Sequence, residues 1–263
     1  MKTIPTLILA FLISSITLAQ PGSWRQLGKA GDWRGTMKAV EAMGKIYTIE
    51  KSGALYETDP SSGSWRQIGK PDFINTAFLF FSNSSLYTIE TSGTLYQVSP
   101  VDGTWRRVGK PGDWKGTLAG AVLNNQLYTV ETTGRLFVTN LDDGSWKLIG
   151  KPDFAATAFL FAANGRLYSI ERSGSLYEIS ADNGTWRQTG KAGAWKATMT
   201  GTIMNNNLYT VETSGALYVT DLGSGTWQQL GKLDFAATRF MTGETEKLHT
   251  IESSGSLYEI SVR

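Results

Sequence analysis

The segment LYTVETSGALY, Leu208 to Tyr218, recurs in recognisable form six times, with copies beginning at Ile46, Leu86, Leu127, Leu167, Leu208 and Leu248. Each copy reads as a short strand, a turn built on Ser/Thr-Gly and a second strand, which is a β-hairpin. Residues alternate with period two, so Tyr209 and Val211 are expected on one face and Thr210 and Glu212 on the other. One hairpin cannot bury its apolar face alone. Copies must therefore stack, and the repeat decides the fold class before any other feature.

Each period holds more than the hairpin. A Gly-Ser/Thr-Trp strand places Trp24, Trp65, Trp105, Trp146, Trp186 and Trp227 at spacings of 41, 40, 41, 40 and 41. Gly-Lys follows each (Lys29, Lys70, Lys110, Lys151, Lys191, Lys232), then a loop, an aromatic residue and an apolar segment such as Thr76 to Phe81. With that segment as a further strand, a period of this length carries four strands, which is one propeller blade. The chain starts on a lone Trp strand and stops on the second hairpin strand of the sixth copy. The expected fold is all-β: a six-bladed β-propeller over 20–263, with residues 22 to 28 completing the last blade from outside. An open solenoid would leave edges exposed and carry atypical capping repeats, which are not seen.

Odd and even repeats differ systematically. Odd loops read GDWRGT, GDWKGT and GAWKAT, with Trp33, Trp114 and Trp195 spaced by 81; even loops read DFINT, DFAAT and DFAAT, with Phe73, Phe154 and Phe235 at the same spacing. The ring is a pseudo-trimer of two-blade units. Inner strands follow suit, bulky in even repeats (Phe78, Phe80, Phe159, Phe161, Phe240) and small in odd ones (Gly120, Ala121, Gly201, Thr202), so large residues are expected to fill what small ones leave.

Residues 1–19 read as a signal peptide: Lys2, an apolar run from Leu7 to Leu18, and Thr17-Leu18-Ala19 ahead of the cleavage point. That run is short for a span, and no later one approaches the roughly 20 apolar residues a membrane helix needs. The expected location is secreted and extracellular, or periplasmic in a Gram-negative source. The chain has no cysteine, so neither a lipid anchor nor a disulfide is expected. Net charge is +2 with no basic run, which argues against nucleic acid and acidic membranes as partners. Asn83 and Asn183 stand in Asn-x-Ser/Thr sequences, glycan acceptors only in a source that glycosylates them.

No catalytic set, cofactor or metal site is expected. One histidine and no cysteine exclude His-based zinc sites and Cys nucleophiles. His249 takes the place of Tyr47, Tyr87, Tyr128, Tyr168 and Tyr209 and reads as a core or interblade residue. Glu50, Glu90, Glu131, Glu171, Glu212 and Glu252 close the first hairpin strand of each repeat; they are expected to accept bonds from turn amides or to pair with a Gly-Lys lysine. The alternative is a functional ring of carboxylates, which mutual repulsion opposes. Asp72, Asp153 and Asp234 are loop residues like Asp32 and Asp113, and Ala194 breaks the set.

The Trp strand followed by glycine, the Asp-Trp or Asp-Phe loop and the Leu-Tyr hairpin with Ser-Gly at its turn together resemble the tachylectin and tectonin group of lectin-like propellers. That resemblance implies a sugar-binding protein with a site per blade or between blades. From the residues themselves, ligand sites are expected in the odd loops, where Trp33 stands with Arg34 and Asp32, Trp114 with Lys115 and Asp113, and Trp195 with Lys196. An indole stacks on the C–H face of a sugar while charged neighbours bond its hydroxyls. The equal alternative is that these tryptophans pack between blades as the even-blade phenylalanines do; the Trp24 series is read as structural. Two functions follow: a secreted multivalent carbohydrate-binding propeller with glycans as partners, or a protein-interaction propeller using its flat faces. Near-perfect repetition argues against an enzyme.

Overall fold

A computed structural model describes residues 20–263; the leader expected over 1–19 lies outside the described residues. Blade 1 is an antiparallel sheet of β2 (Thr36–Ala42), β3 (Lys45–Glu50), β4 (Leu55–Thr58) and β5 (Trp65–Ile68), ordered from the central channel outward. Blades 2 to 5 repeat that order over 76–108, 117–149, 157–189 and 198–230, as β6 to β21. Blade 6 is assembled from both ends of the chain. It takes β22 (Thr238–Glu244), β23 (Lys247–Glu252) and β24 (Leu257–Ser261), and its outer strand is β1 (Trp24–Leu27). Trp24 lies opposite Ile260 and Leu27 opposite Leu257, so the expected closure is the one found. Arg25 clamps it with Nε and Nη2 each donating at 2.9 Å to the Glu259 carboxylate.

The turns follow from residues that tolerate positive φ. The first and second strands of a blade are joined by two-residue turns with both φ positive, at Met43-Gly44, Asn83-Ser84, Asn124-Asn125, Asn164-Gly165 and Asn205-Asn206. That geometry matches strand twist and favours Asn and Gly. The Ser-Gly turn has a second constraint: a Cβ on Gly93 (φ 80°) would collide with the backbone of Lys115 in the next blade's loop. Trp114 N–H donates to the Gly93 carbonyl at 3.1 Å, as Phe73 does to Gly53 and Phe154 to Gly134, so each loop is stitched to the preceding blade.

Period-two alternation puts Thr210 and Glu212 on the face opposite Tyr209 and Val211, and on that face Thr48, Thr88, Thr129, Ser169, Thr210 and Thr250 are all buried. Each of these strands is sandwiched between neighbouring blades, so both faces are covered. The even-odd complementarity is borne out: a Cβ on Gly120 would lie 2.7 Å from Phe80 Cζ, and one on Gly201 3.1 Å from Phe161 Cζ.

Candidate functional site

The tryptophans expected to hold a ligand lie between blades. Trp33, Trp114 and Trp195 are 2%, 3% and 3% exposed, as enclosed as Phe73, Phe154 and Phe235. Their indole N–H groups donate inward to the hydroxyls of Thr58, Thr139 and Thr220 at 3.3, 3.2 and 3.4 Å. Little of each ring is open: Trp33, Trp114 and Trp195 pack between blades, and Trp33 also lines the cleft of blade 1. Arg34, Lys115 and Lys196 are exposed but rest their backbones on the Ser-Gly turn of the preceding blade. Arg34 Nε also donates to the Ser254 carbonyl at 3.4 Å. The indole and the cation of each expected pair are therefore turned to different neighbours.

The outer-strand tryptophans are the open ones. Trp24, Trp65, Trp105, Trp146, Trp186 and Trp227 are 48–50% exposed, because an outer strand has no further strand to cover it. Each meets the ring of the adjacent strand edge-on: Trp65 lies 5.1 Å from Tyr56 at 87°, and Tyr258, Tyr96, Phe137, Tyr177 and Tyr218 do the same for the others. Each indole but one is also fixed by its N–H. Trp65 donates to Asp32 at 3.0 Å, Trp105 to Asp72 at 3.2 Å, Trp146 to Asp113 at 3.0 Å, Trp186 to Asp153 at 3.0 Å and Trp24 to Asp234 at 3.2 Å. In blade 5 Ala194 leaves Trp227 without that acceptor. Asp32 and Asp113 thus belong to the candidate site as acceptors of the outer indoles, and Asp32 shares its cleft with Trp33.

In blade 1 these groups surround a cleft of about 270 Å³ lined by Asp32, Trp33, Glu50, Lys51, Tyr56 and Trp65, with Thr48 at its buried end. Its counterpart in blade 4 is lined by Asp153, Phe154, Glu171, Tyr177 and Trp186. The glutamate forms the inner wall. Thr36 hydroxyl donates to Glu50 at 2.6 Å and Thr157 to Glu171 at 3.4 Å; these bonds replace the expected ones to turn amides, and among the described residues no ion pair joins these glutamates to the Gly-Lys lysines. Burial holds all six carboxyls above the ordinary carboxylate range. Among the described residues the hydroxyls of Thr48, Thr76, Ser169, Thr198, Thr238 and Thr250, on the first two strands of five blades, are buried with no protein partner. The clefts of blades 1 and 4 therefore combine a half-open indole, its edge ring and two acidic side chains, and at the equivalent place in blade 5 Ala194 removes one of the two acids. The signal for them was the Trp strand itself, one large ring kept on an edge in every repeat.

Comparison with known proteins places the fold. A family model described as the DUF6242 beta propeller domain matches residues 23–159, more than half of the chain. No curated protein matches significantly. Among solved structures, a protein of unknown function from Bacteroides thetaiotaomicron is 13% identical with a TM-score of 0.68, covering 93% of this chain and 73% of its own. A catalytically inactive virginiamycin B lyase from Staphylococcus aureus with quinupristin is 12% identical, TM-score 0.65, over 92% of this chain and 99% of its own. YCF48 bound to D1 peptide is 15% identical, TM-score 0.58, over 87% and 78%. At these identities the likeness is one of fold alone.

Proposed function

This chain belongs to the DUF6242 β-propeller family, and on that footing we propose that it is a secreted, multivalent carbohydrate-binding protein whose sites are the clefts at the outer edges of the blades. The observation that carries the reading is the Trp65 indole, 49% exposed and oriented by its bond to Asp32, repeated around the ring. A fixed ring costs little entropy when a sugar's C–H face stacks on it, and the free oxygens of Asp32 and Glu50 accept sugar hydroxyls. The motif resemblance to tachylectins and tectonins supports the same class. Sites spread around one rigid ring give avidity on a glycan-bearing surface even when each is weak. The protein acts by binding, outside the cytoplasm.

Glycan-array binding of the purified protein is the test, run beside Trp65→Ala, Trp105→Ala and Trp186→Ala combined. Loss of binding in a variant with unchanged circular dichroism supports the outer clefts. Full binding by that variant, or none by the wild type, refutes them. A protein or peptide partner is the second reading, favoured by exposed Ile74 and Leu233 on the even loops, 57% and 59% exposed. Among solved propellers, YCF48 is described as bound to a peptide.

A further inference from the structure

Two departures from the repeat bring cations to the inner strands where blades 6 and 1 meet. Lys38 stands where the odd sister blades have Ala119 and Thr200, and Arg239 where the even ones have Ala77 and Ala158. The channel encloses about 510 Å³, a volume suited to a small ligand. Its wall carries Phe78, Phe159 and Phe240, one per even blade, with Phe80 and Phe161 a step further along the same strands. Lys38 Nζ lies 5.8 Å from the Phe78 ring centre, and Arg239 Cζ lies 5.2 Å from that of Phe240.

Lys38 has no carboxylate within ion-pair distance among the described residues, whereas Arg239 is exposed, stands outside the residues that line the channel and donates from Nη2 to the Thr36 carbonyl at 3.0 Å. Glu41, on the same strand as Lys38, is engaged elsewhere: its Oε2 accepts from Thr242 Oγ1 at 2.9 Å and meets His249 Nδ1 at 2.9 Å. Burial accordingly holds the Lys38 ammonium below its ordinary value. A partly buried cation without a counter-ion, set against aromatic walls, is balanced by an anion with an apolar body.

We propose that the central channel is a single binding site for a small amphiphilic carboxylate, its acid group on Lys38 and its apolar part against Phe78, Phe159 and Phe240. One such site per ring follows from Lys38 having no counterpart in the sister blades, and it is independent of the outer clefts.

Isothermal titration with 4-phenylbutyrate and with uncharged 4-phenylbutanamide separates charge from shape. The acid binds one per chain and at least about tenfold tighter than the amide. Lys38→Thr installs the residue already present at this place in blade 5, so the fold is kept, and it brings the acid down to the amide's affinity; Arg239→Ala, outside the channel lining, leaves the preference in place. Ala119→Phe fills the channel and removes both. Equal binding of acid and amide to the wild type, an undiminished preference in Lys38→Thr, or no binding of either at millimolar concentration overturns the proposal.

Discussion

His249 Nδ1 lies 2.9 Å from Glu41 Oε2 across the seam where the last blade meets the first. Their side chains are 5% and 3% exposed. The same seam between blades 2 and 3 holds Tyr87 and Val122, and between blades 4 and 5 Tyr168 and Ile203. Two further positions change with them. Where Phe80 overlies Gly120 and Phe161 overlies Gly201, the closing seam has Thr242 and Ala39, for without the phenylalanine the glycine is no longer required. Four residues from three strands thus exchange an apolar packing for a hydrogen-bonded one.

Breaking that set in part should cost more than replacing it whole. Glu41→Val leaves Thr242 and His249 buried without their acceptor and is expected to destabilise by about 1–3 kcal/mol. Adding Ala39→Gly, Thr242→Phe and His249→Tyr rebuilds the packing of the other seams and should recover most of the loss, as buried polar sets replaced by well-packed apolar ones commonly do. Urea denaturation of both variants decides it; a fourfold variant less stable than Glu41→Val contradicts the account.

Ring closure depends on the short strand β1. Leu27 is 2% exposed and packs with Trp33, Ile46, Ile251 and Leu257 of the first and last blades. Leu27→Ala should cost about 2–5 kcal/mol, far more than Gln26→Ala on the exposed side of the strand. Equal midpoints for the two variants in urea would show that the closure carries little stability.

Blade 5 offers a gain-of-contact test. Ala194→Asp supplies the acceptor that Trp227 lacks, and the position is only partly exposed. The expected gain is at most about 1 kcal/mol, the net value of one hydrogen bond. Under the carbohydrate reading the more telling change is in stoichiometry, a fifth-blade site gaining affinity in titration. An unchanged binding curve beside a measurable gain in Tm would separate the structural role of the aspartate from the ligand-binding one.

Stability should fall as pH rises toward neutrality. The six cleft glutamates have folded values above the ordinary 4.5 because burial penalises the charged form, so the folded state holds these protons more tightly than the unfolded state. Their contribution is complete below that ordinary value and is lost as pH climbs through the raised ones. Asp59, held low by the Lys45 side-chain bond, and Asp102, Asp143 and Asp221, held low by backbone N–H donors, act oppositely, losing their contribution as pH falls below 3.8. Maximum stability is therefore expected on the acid side of neutrality. Replacing the six glutamates by glutamine should flatten the decline in Tm between about pH 5 and 8; an unaltered slope would falsify this assignment.

Much of the architecture was legible because repetition reports it directly. Blade number, strand order and the closing strand follow from spacing and from where the hairpin copies fall, and the pairing of Phe80 with Gly120 follows from the alternation of large and small residues. The face of each strand was less legible. Alternation separates Thr48 from Tyr47 and Ile49 by face, but it does not report that both faces are covered in the ring. Trp33 and Trp65 are both large rings beside charged residues in sequence, yet one is enclosed and the other half open. Their partners lie 25 and 33 residues away, Thr58 for Trp33 and Asp32 for Trp65, beyond the reach of local sequence.

The sequence alone determined the six-fold ring, its two-blade period and the residue types available at each blade's edge, since these depend on local periodicity and composition. Tertiary structure decided which copies do what. It turned Asp32 toward Trp65 rather than Trp33, buried the six glutamates enough to shift their protons, and brought Glu41, Thr242 and His249 into one cluster. Those outcomes depend on distance and desolvation, which are properties of packed blades and not of any stretch of chain.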